Sequence, residues 1–188
     1  MCLILLAMLV LTPSAFAQWE LLNDESTLNF VSVKNSKVGE IHYFKKLSGV
    51  IEKNGAVSIN IDLSSVETNI PIRNDRMKTI LFEIADFADA KITGTVNVDD
   101  VSSLAVGGTY SDSIKLTLSL HGVSQDLNSD VQVTKLTQQS VLVTTLRPIL
   151  INAEDFNLAD GIEKLRSVAG LSTISTAVPV TYSLVFKK

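Results

Sequence analysis

Strict alternation between apolar and polar side chains in one short segment constrains the fold of this chain more than any other feature. Val57, Ile59, Ile61 and Leu63 are aliphatic, and a polar residue follows each of them. Successive side chains of a β-strand point to opposite faces, so this segment buries one face and exposes the other to solvent. Parallel strands buried on both faces would instead read as continuous apolar runs, so the pattern predicts an antiparallel sheet.

The same period of two recurs along the chain and predicts a barrel. Residues 114–121 and residues 178–184 alternate in the same way, and Asn54-Gly55 is the strongest signal for a hairpin turn. The strand signals add up to about eight strands separated by short turns, which predicts an all-β fold of the barrel type. Half-buried strands that curl together enclose an apolar interior, and that interior is either a packed core or a ligand cavity.

Two segments depart from this period and predict short helices. In the first, apolar residues fall at helical spacing over residues 77–84, and Asn74 or Asp75 is the expected N-cap. In the second, residues 161–169 place their apolar side chains on one face. Between the two, the alternation of residues 92–98 predicts another strand.

The length and charge of the chain narrow the classes of function. A chain of 188 residues fits one domain of the barrel type. Its 16 basic and 20 acidic residues give a net charge of −4, so no excess of positive charge is available to bind nucleic acid. Apolar residues make up 46% of the chain and charged residues 19%, which argues against a disordered protein.

The first residues read as a secretory signal peptide. An apolar run from Leu3 to Leu11 precedes the cleavage motif Ala15-Phe16-Ala17, although no Lys or Arg stands before the run. We therefore predict a signal peptide over residues 1–17 with cleavage after Ala17, and an exported domain over residues 18–188. The run is too short to span a bilayer, so no stable membrane insertion is expected. The single cysteine lies within this segment, so the mature domain is expected to lack disulfides and cysteine-based metal sites.

No arrangement of residues in the sequence indicates catalysis or metal binding. Neither His42 nor His121 has a second histidine at ligand spacing, and the sequence contains no nucleophile elbow or phosphate-binding glycine loop. An enzyme that uses His121 or Asp62 as a base is therefore the least favoured hypothesis. We predict no metal and no cofactor.

The segment Arg73-Asn74-Asp75-Arg76 is the clearest candidate for binding an anion. Two guanidinium groups in one loop can hold a phosphate through bidentate hydrogen bonds, and a following helix N-terminus would add partial positive charge. The alternative is a helix cap with Arg–Asp pairs on the surface. The sequence leaves both interpretations open.

Several short motifs, taken in their order along the chain, resemble the YceI-like family, also called polyisoprenoid-binding proteins. The most specific is Ile-Asp-x-x-Ser-x-x-Thr from Ile61 to Thr68, followed soon by Arg-x-Asp. The resemblance extends from Trp19 to Phe186. The other matching residues are Ser26, Phe30, Gly39, Phe44, Gly49, Phe87, Leu116-Thr117-Leu118, His121-Gly122-Val123 and Asp155-Phe156-Asn157-Leu158. The chain departs from the family pattern Arg-Ser-Asp-Phe-Gly-Leu, since residues 153–158 read Ala-Glu-Asp-Phe-Asn-Leu, which puts a binding role for that loop in doubt.

The resemblance implies an extended, lipocalin-like antiparallel barrel of eight strands with one or two short helices. It also implies a periplasmic protein without catalysis, whose tunnel holds an isoprenoid lipid such as the tail of a polyprenyl phosphate or of a quinone. The tunnel wall is expected to consist of Leu28, Phe30, Phe44, Ile59, Ile61, Leu63, Phe82, Phe87, Leu116, Leu118, Ile149, Ile151, Phe156, Val180 and Tyr182. An anionic headgroup is expected at Arg73, Asn74 and Arg76.

Two questions stay open from the sequence. The alternative to a lipid carrier is an exported, stress-related interaction protein whose barrel is filled by its own side chains and holds no ligand. The oligomeric state is open between a monomer and a homodimer. The first question depends on whether the barrel interior is empty or packed.

Overall fold

The fold is known from a computed structural model, which describes residues 18–188. The predicted signal peptide lies outside the described residues. The strands are Trp19–Leu21 (β1), Thr27–Lys34 (β2), Val38–Phe44 (β3), Leu47–Ile51 (β4), Ala56–Asp62 (β5), Val66–Glu67 (β6), Asp89–Thr95 (β7), Thr109–Leu120 (β8), Val123–Lys135 (β9), Ser140–Thr145 (β10), Ile149–Asn152 (β11) and Ala177–Lys187 (β12). The helices are Pro71–Arg76 (α1), which continues as the π-helical turn Met77–Leu81, Val98–Ser103 (α2) and Ala159–Val168 (α3). Short 3-10 turns lie at Asn23–Glu25, Leu63–Ser65 and Ala153–Phe156.

Eight of the strands close into an antiparallel barrel. Their hydrogen-bonded order is β1-β4-β5-β7-β8-β9-β10-β12, and β12 pairs with β1 to complete the ring. Along one edge β12 pairs with β11 and then β10, and along the other with β2 and then β1. From β12, the sheet also continues through β2 to β3 and β6, outside the ring of eight. The predicted eight-stranded antiparallel barrel is confirmed, with additional strands.

The alternation in β5 has the predicted consequence. Val57, Ile59 and Ile61 are buried, while the residues between them are partly exposed. The predicted hairpin joins β4 to β5 through a turn at Gly55, whose φ is +87°. A Cβ at this position would lie 2.0 Å from the carbonyl oxygen of Val96, so only glycine fits both the turn and the neighbouring chain.

The first helix begins earlier than the sequence predicted. α1 starts at Pro71, after an N-cap residue whose side chain makes no capping hydrogen bond. The fixed φ of proline suits the first helical position, where its missing N–H costs nothing. The prediction that Asn74 or Asp75 caps the helix was therefore wrong, because both residues lie inside α1.

A second difference concerns the strand predicted over residues 92–98. β7 ends at Thr95, and the side chain of Asn97 accepts a hydrogen bond from the backbone N–H of Asp99 at 3.1 Å. This N-cap starts α2 at Val98 and ends the strand. The helix predicted over residues 161–169 is confirmed as α3. Within residues 18–188, no helix has the length and apolar character needed to cross a membrane.

Candidate functional site

In the part of the chain that the structure describes, the barrel interior is not fully packed and contains at least two cavities. The larger has a volume of about 150 Å³ and a wholly apolar lining, and we call it the large chamber. The smaller has a volume of about 70 Å³, and we call it the small chamber. Leu28, Ile92, Leu116 and Tyr182 line both chambers, so these four side chains form the partition between them.

Helical segments close the large chamber at the end away from the partition. Leu81 and Phe82, at the end of the π-helical turn, and Ile162 of α3 all line it. α3 fits closely at this point, because a Cβ at Gly161 would lie 3.0 Å from the carbonyl oxygen of Ile80. The residues expected in the tunnel wall that line the large chamber are Leu28, Phe30, Phe44, Ile61, Leu63, Phe82, Leu116, Leu118, Ile149, Ile151, Val180 and Tyr182.

Three residues of the expected tunnel wall lie elsewhere. Ile59 lines the small chamber only. Phe156, at the end of a 3-10 turn, is 1% exposed but lines neither chamber. Phe87 also lines neither chamber, because its ring packs against that of His121, with the centroids 4.3 Å apart, and against Gly122.

Several aliphatic residues of the large chamber were missed by the sequence reading. Some of them continue an alternation that was already recognised, so that strand parity identifies them: Ile92, Leu120 and Val178. Others lie on helices and turns, where no period of two exists: Leu81, Leu158 and Ile162. Parity therefore predicts the part of the wall that strands provide, and only the folded chain shows which side chains close the ends.

The large chamber reaches a seam in the barrel wall. β9 pairs with β10 only over its second half, and among the described residues no strand ladder joins its first half to β11. Leu127 of β9 and Ile149 of β11 are both half-buried and both line the chamber. A side-chain hydrogen bond of 3.3 Å, from Gln125 to the carbonyl oxygen of Asp155, spans the seam. This is the part of the wall with the fewest backbone hydrogen bonds to hold it closed.

The small chamber is covered by α2. Val98 and Val101 of this helix line the chamber, and so does Trp19. The buried ammonium group of Lys135 lies 3.4 Å and 3.3 Å from the carbonyl oxygens of Val101 and Ser102. A cation at the C-terminal end of a helix satisfies the free carbonyl groups there, so Lys135 holds α2 against the barrel.

One polar pair lies within this apolar interior. The hydroxyl oxygens of Tyr182 and Ser129 are 2.7 Å apart, and the two residues are 8% and 1% exposed. Burial raises the pKa of Tyr182, and the hydrogen bond with Ser129 partly offsets that rise. One of the two hydroxyl groups donates to the other, so each of these buried polar groups has a hydrogen-bond partner.

Two of the three residues expected to bind a headgroup, Arg73 and Asn74, are held by hydrogen bonds within the protein. Arg73 donates to Glu40 and to the carbonyl oxygen of Thr68, each at 2.7 Å. Asn74 accepts from the backbone N–H of Thr68 at 2.8 Å and donates to Glu67 at 2.9 Å. These bonds hold the turn before α1 against β3 and β6. Arg76 is half-buried, and within residues 18–188 it forms no ion pair.

His42 is a buried polar residue whose position the sequence reading did not predict. It is 2% exposed, and its ring meets that of Phe30 at 64° with the centroids 5.4 Å apart. Burial lowers the pKa of His42, and the nearby charge of Arg73 lowers it further. Lys34 and Arg73 both pair with Glu40 beside it, which holds the pKa of the Glu40 carboxyl below its usual value.

The two residues considered as catalytic bases have structural contacts outside the chambers. Asp62 accepts from the backbone N–H of Ser64 at 2.9 Å and so caps the turn that follows β5. His121 lies 3.1 Å from the Glu83 carboxylate and packs on Phe87. In the part of the chain that the structure describes, no three metal-ligating side chains cluster.

A closed antiparallel barrel with an apolar and partly empty interior defines a class of proteins that enclose small apolar molecules. The sequence profile of the YceI-like domain matches residues 19–186. The chain therefore belongs to the YceI-like family, a family of non-enzymatic binding proteins.

Solved structures of related proteins share the fold. A polyisoprenoid binding domain from Saccharophagus degradans, described as implicated in plant cell wall breakdown, is 41% identical, with a TM-score of 0.88 over 90% of this chain and 97% of that one. BcnA of Burkholderia cenocepacia is 18% identical, with a TM-score of 0.67 over 88% and 98%. A YCEI protein of Campylobacter jejuni is 19% identical, with a TM-score of 0.52 over 71% and 77%. No curated protein matches the chain in sequence.

Proposed function

We propose that this protein binds an isoprenoid lipid, such as the tail of a polyprenyl phosphate or of a quinone, inside the barrel and carries or sequesters it. The wholly apolar large chamber is the observation that supports the proposal most strongly. A prenyl chain is hydrocarbon, and its burial contributes roughly 0.8 kcal/mol per CH₂-sized group before the cost of association. The similarity to a polyisoprenoid binding domain at 41% identity supports the same class of ligand.

The volume of the large chamber limits what it holds without rearrangement. A dry cavity of about 150 Å³ lined by Leu, Ile and Phe side chains takes a molecule the size of benzene. The chamber, at about 150 Å³, therefore fits roughly one isoprene unit. A longer chain requires side chains along the barrel axis to move, and the half-buried aliphatic residues of the wall are the ones free to do so.

The alternative is a barrel filled by its own side chains that acts through its outer surface. The two chambers argue against it, because a filled barrel packs to the density of a protein interior and leaves few voids larger than a water molecule. The alternative predicts that the purified protein contains no extractable lipid and takes up none.

The proposal is tested by extracting the purified protein with organic solvent and examining the extract by mass spectrometry, followed by titration with isoprenoid alcohols. Ile92→Phe combined with Leu116→Phe fills the interior and is expected to abolish binding. Ile41→Phe is the matched control, since Ile41 is 67% exposed on the outer face. No lipid in the extract and no binding of added alcohols would sink the proposal, and so would equal binding by the filled variant.

The headgroup is proposed to contact the segment that contains Arg73 and Arg76. Arg73 is already paired with Glu40, whereas within residues 18–188 Arg76 forms no ion pair, so Arg76 is the guanidinium proposed to bind the phosphate. Arg76→Gln is expected to weaken binding of a polyprenyl phosphate without affecting the corresponding alcohol. Equal effects on both ligands would show that Arg76 has no part in recognising the phosphate.

We propose that the protein is exported to the periplasm after cleavage behind Ala17. The support is the apolar run and the cleavage motif in the sequence. N-terminal sequencing of the protein from a periplasmic extract tests this, and a chain that retains its first residues in the cytoplasmic fraction would contradict it. Sedimentation of the same sample distinguishes a monomer from a homodimer.

A further inference from the structure

We propose that Tyr182 is a gate between the two chambers and sets the number of isoprene units that the barrel accepts. The inference rests on the proposed function and adds the determinant of ligand length. With the tyrosine ring in place, a ligand occupies the large chamber only. With the ring displaced, the two chambers join into one tunnel.

Tyr182 lies where the two chambers meet. Four side chains line both chambers, namely Leu28, Ile92, Leu116 and Tyr182. Tyr182 is the largest of them and is 8% exposed. It is directly paired with Leu28 across the β12–β2 ladder, so the two side chains stand together on the inner face. Displacing the tyrosine ring therefore removes the largest side chain of the partition.

A hydrogen bond anchors the ring of Tyr182 in this position. The Tyr182 hydroxyl lies 2.7 Å from the hydroxyl of Ser129, and Ser129 is 1% exposed. The ladder between β9 and β10 ends at the pair Val131 and Thr145. Ser129 lies closer to the N-terminal end of β9 and is therefore outside this ladder. The hydrogen bond therefore joins β12 to β9 at the point where β10 no longer separates them. The other three partition residues are aliphatic and have no such anchor.

The chambers differ in a way that makes the gate measurable. Trp19 is the single tryptophan of the chain, and it lines the small chamber but not the large one. Its fluorescence therefore reports whether a ligand has passed the partition. A ligand confined to the large chamber leaves the surroundings of Trp19 unchanged.

The experiment titrates the purified protein with isoprenoid alcohols of increasing length, from the one-unit alcohol prenol through geraniol and farnesol to geranylgeraniol, with calorimetry and Trp19 emission as readouts. In the wild-type protein, affinity is expected to level off after the first one or two units, because the large chamber of about 150 Å³ holds roughly one, and no response from Trp19 is expected. In Tyr182→Leu, affinity for the longest alcohol is expected to rise by about tenfold or more, since each additional buried CH₂-sized group strengthens binding about fourfold. In that variant the emission of Trp19 also changes on binding.

Ser129→Ala is the second variant, because it releases the ring without shortening it and keeps the test valid if Tyr182→Leu does not fold. Like Tyr182→Leu, it is expected to increase the chain length at which affinity stops rising. The gate would be overturned if affinity stopped rising at the same chain length in both variants as in the wild-type protein. It would also be overturned if Trp19 emission changed in the wild-type protein with alcohols of every chain length. Failure of all alcohols to bind the wild-type protein would instead refute the proposed function.

Discussion

The guanidinium of Arg73 donates to the carboxylate of Glu40 at 2.7 Å, and this ion pair ties α1 to β3. A second donor of the same guanidinium bonds to the carbonyl oxygen of Thr68 at 2.7 Å. Arg73 and Glu40 are 33 residues apart in the chain, and their side chains are 25% and 28% exposed. The contact therefore stabilises the helical segment that closes the large chamber.

Arg73→Gln is expected to lower the free energy of unfolding by about 1–2 kcal/mol, because a partly buried charged hydrogen bond and a bond to a backbone carbonyl are lost. Urea unfolding measures this difference. Arg147→Gln is the control, since Arg147 pairs with Asp130 but is 78% exposed, and such surface pairs contribute little. Equal costs for the two variants would show that the Arg73 contact is no stronger than a surface pair.

His42 should make stability fall on mild acidification. Its ordinary pKa of 6.5 is lowered in the folded protein by burial and by Arg73, so the unfolded chain binds the proton more readily. The stabilisation is fully present above pH 6.5 and is lost as the pH falls below that value. Thermal melts between neutral pH and about pH 5 should show a flatter dependence in His42→Gln than in the wild-type protein. Parallel curves for the two proteins would contradict the assignment.

Glu67 should make the stability of the fold depend on pH in a lower range than His42 does. Hydrogen bonds from Lys45, Asn74 and the backbone N–H of Asn69 lower its pKa from 4.5 to about 2, with the Lys45 bond the largest cause. Its contribution is present above pH 4.5 and disappears as the pH falls toward 2. Glu67→Gln is expected to melt at a lower temperature than the wild-type protein at neutral pH. The melting temperatures of Glu67→Gln and of the wild-type protein should converge as the pH approaches about 2. A constant difference down to that pH would refute the prediction.

Truncation should cost less at the chamber wall than in the packed core. Phe156 is 1% exposed and lines neither chamber, so Phe156→Ala is expected to cost about 3–5 kcal/mol. Leu116 is half-buried and faces both chambers, so Leu116→Ala loses fewer contacts and is expected to cost less than about 2 kcal/mol. Urea unfolding compares the two. A cost for Leu116→Ala within the range expected of a packed leucine would indicate that the chambers are closed in solution.

Most of the barrel could be predicted from local pattern. The alternation in β5 determines which residues face inward, because a strand turns alternate side chains to the same side. The turn at Gly55 was equally readable, because a left-handed turn requires glycine. The start of α1 could not be predicted in the same way, because proline at the first helical position competed with the capping signal of Asn74.

The sequence by itself determined that half-buried antiparallel strands close around an apolar interior, because that follows from a period of two along each strand. It did not determine how the interior is divided. The partition depends on Tyr182 meeting Ser129, which lies 53 residues away in the chain. Likewise, the sequence shows that Arg73 carries a positive charge, but only the tertiary structure places Glu40 beside it. Side chains from distant segments meet only after the chain has folded, so pattern predicts the wall of the barrel and packing decides what the barrel contains.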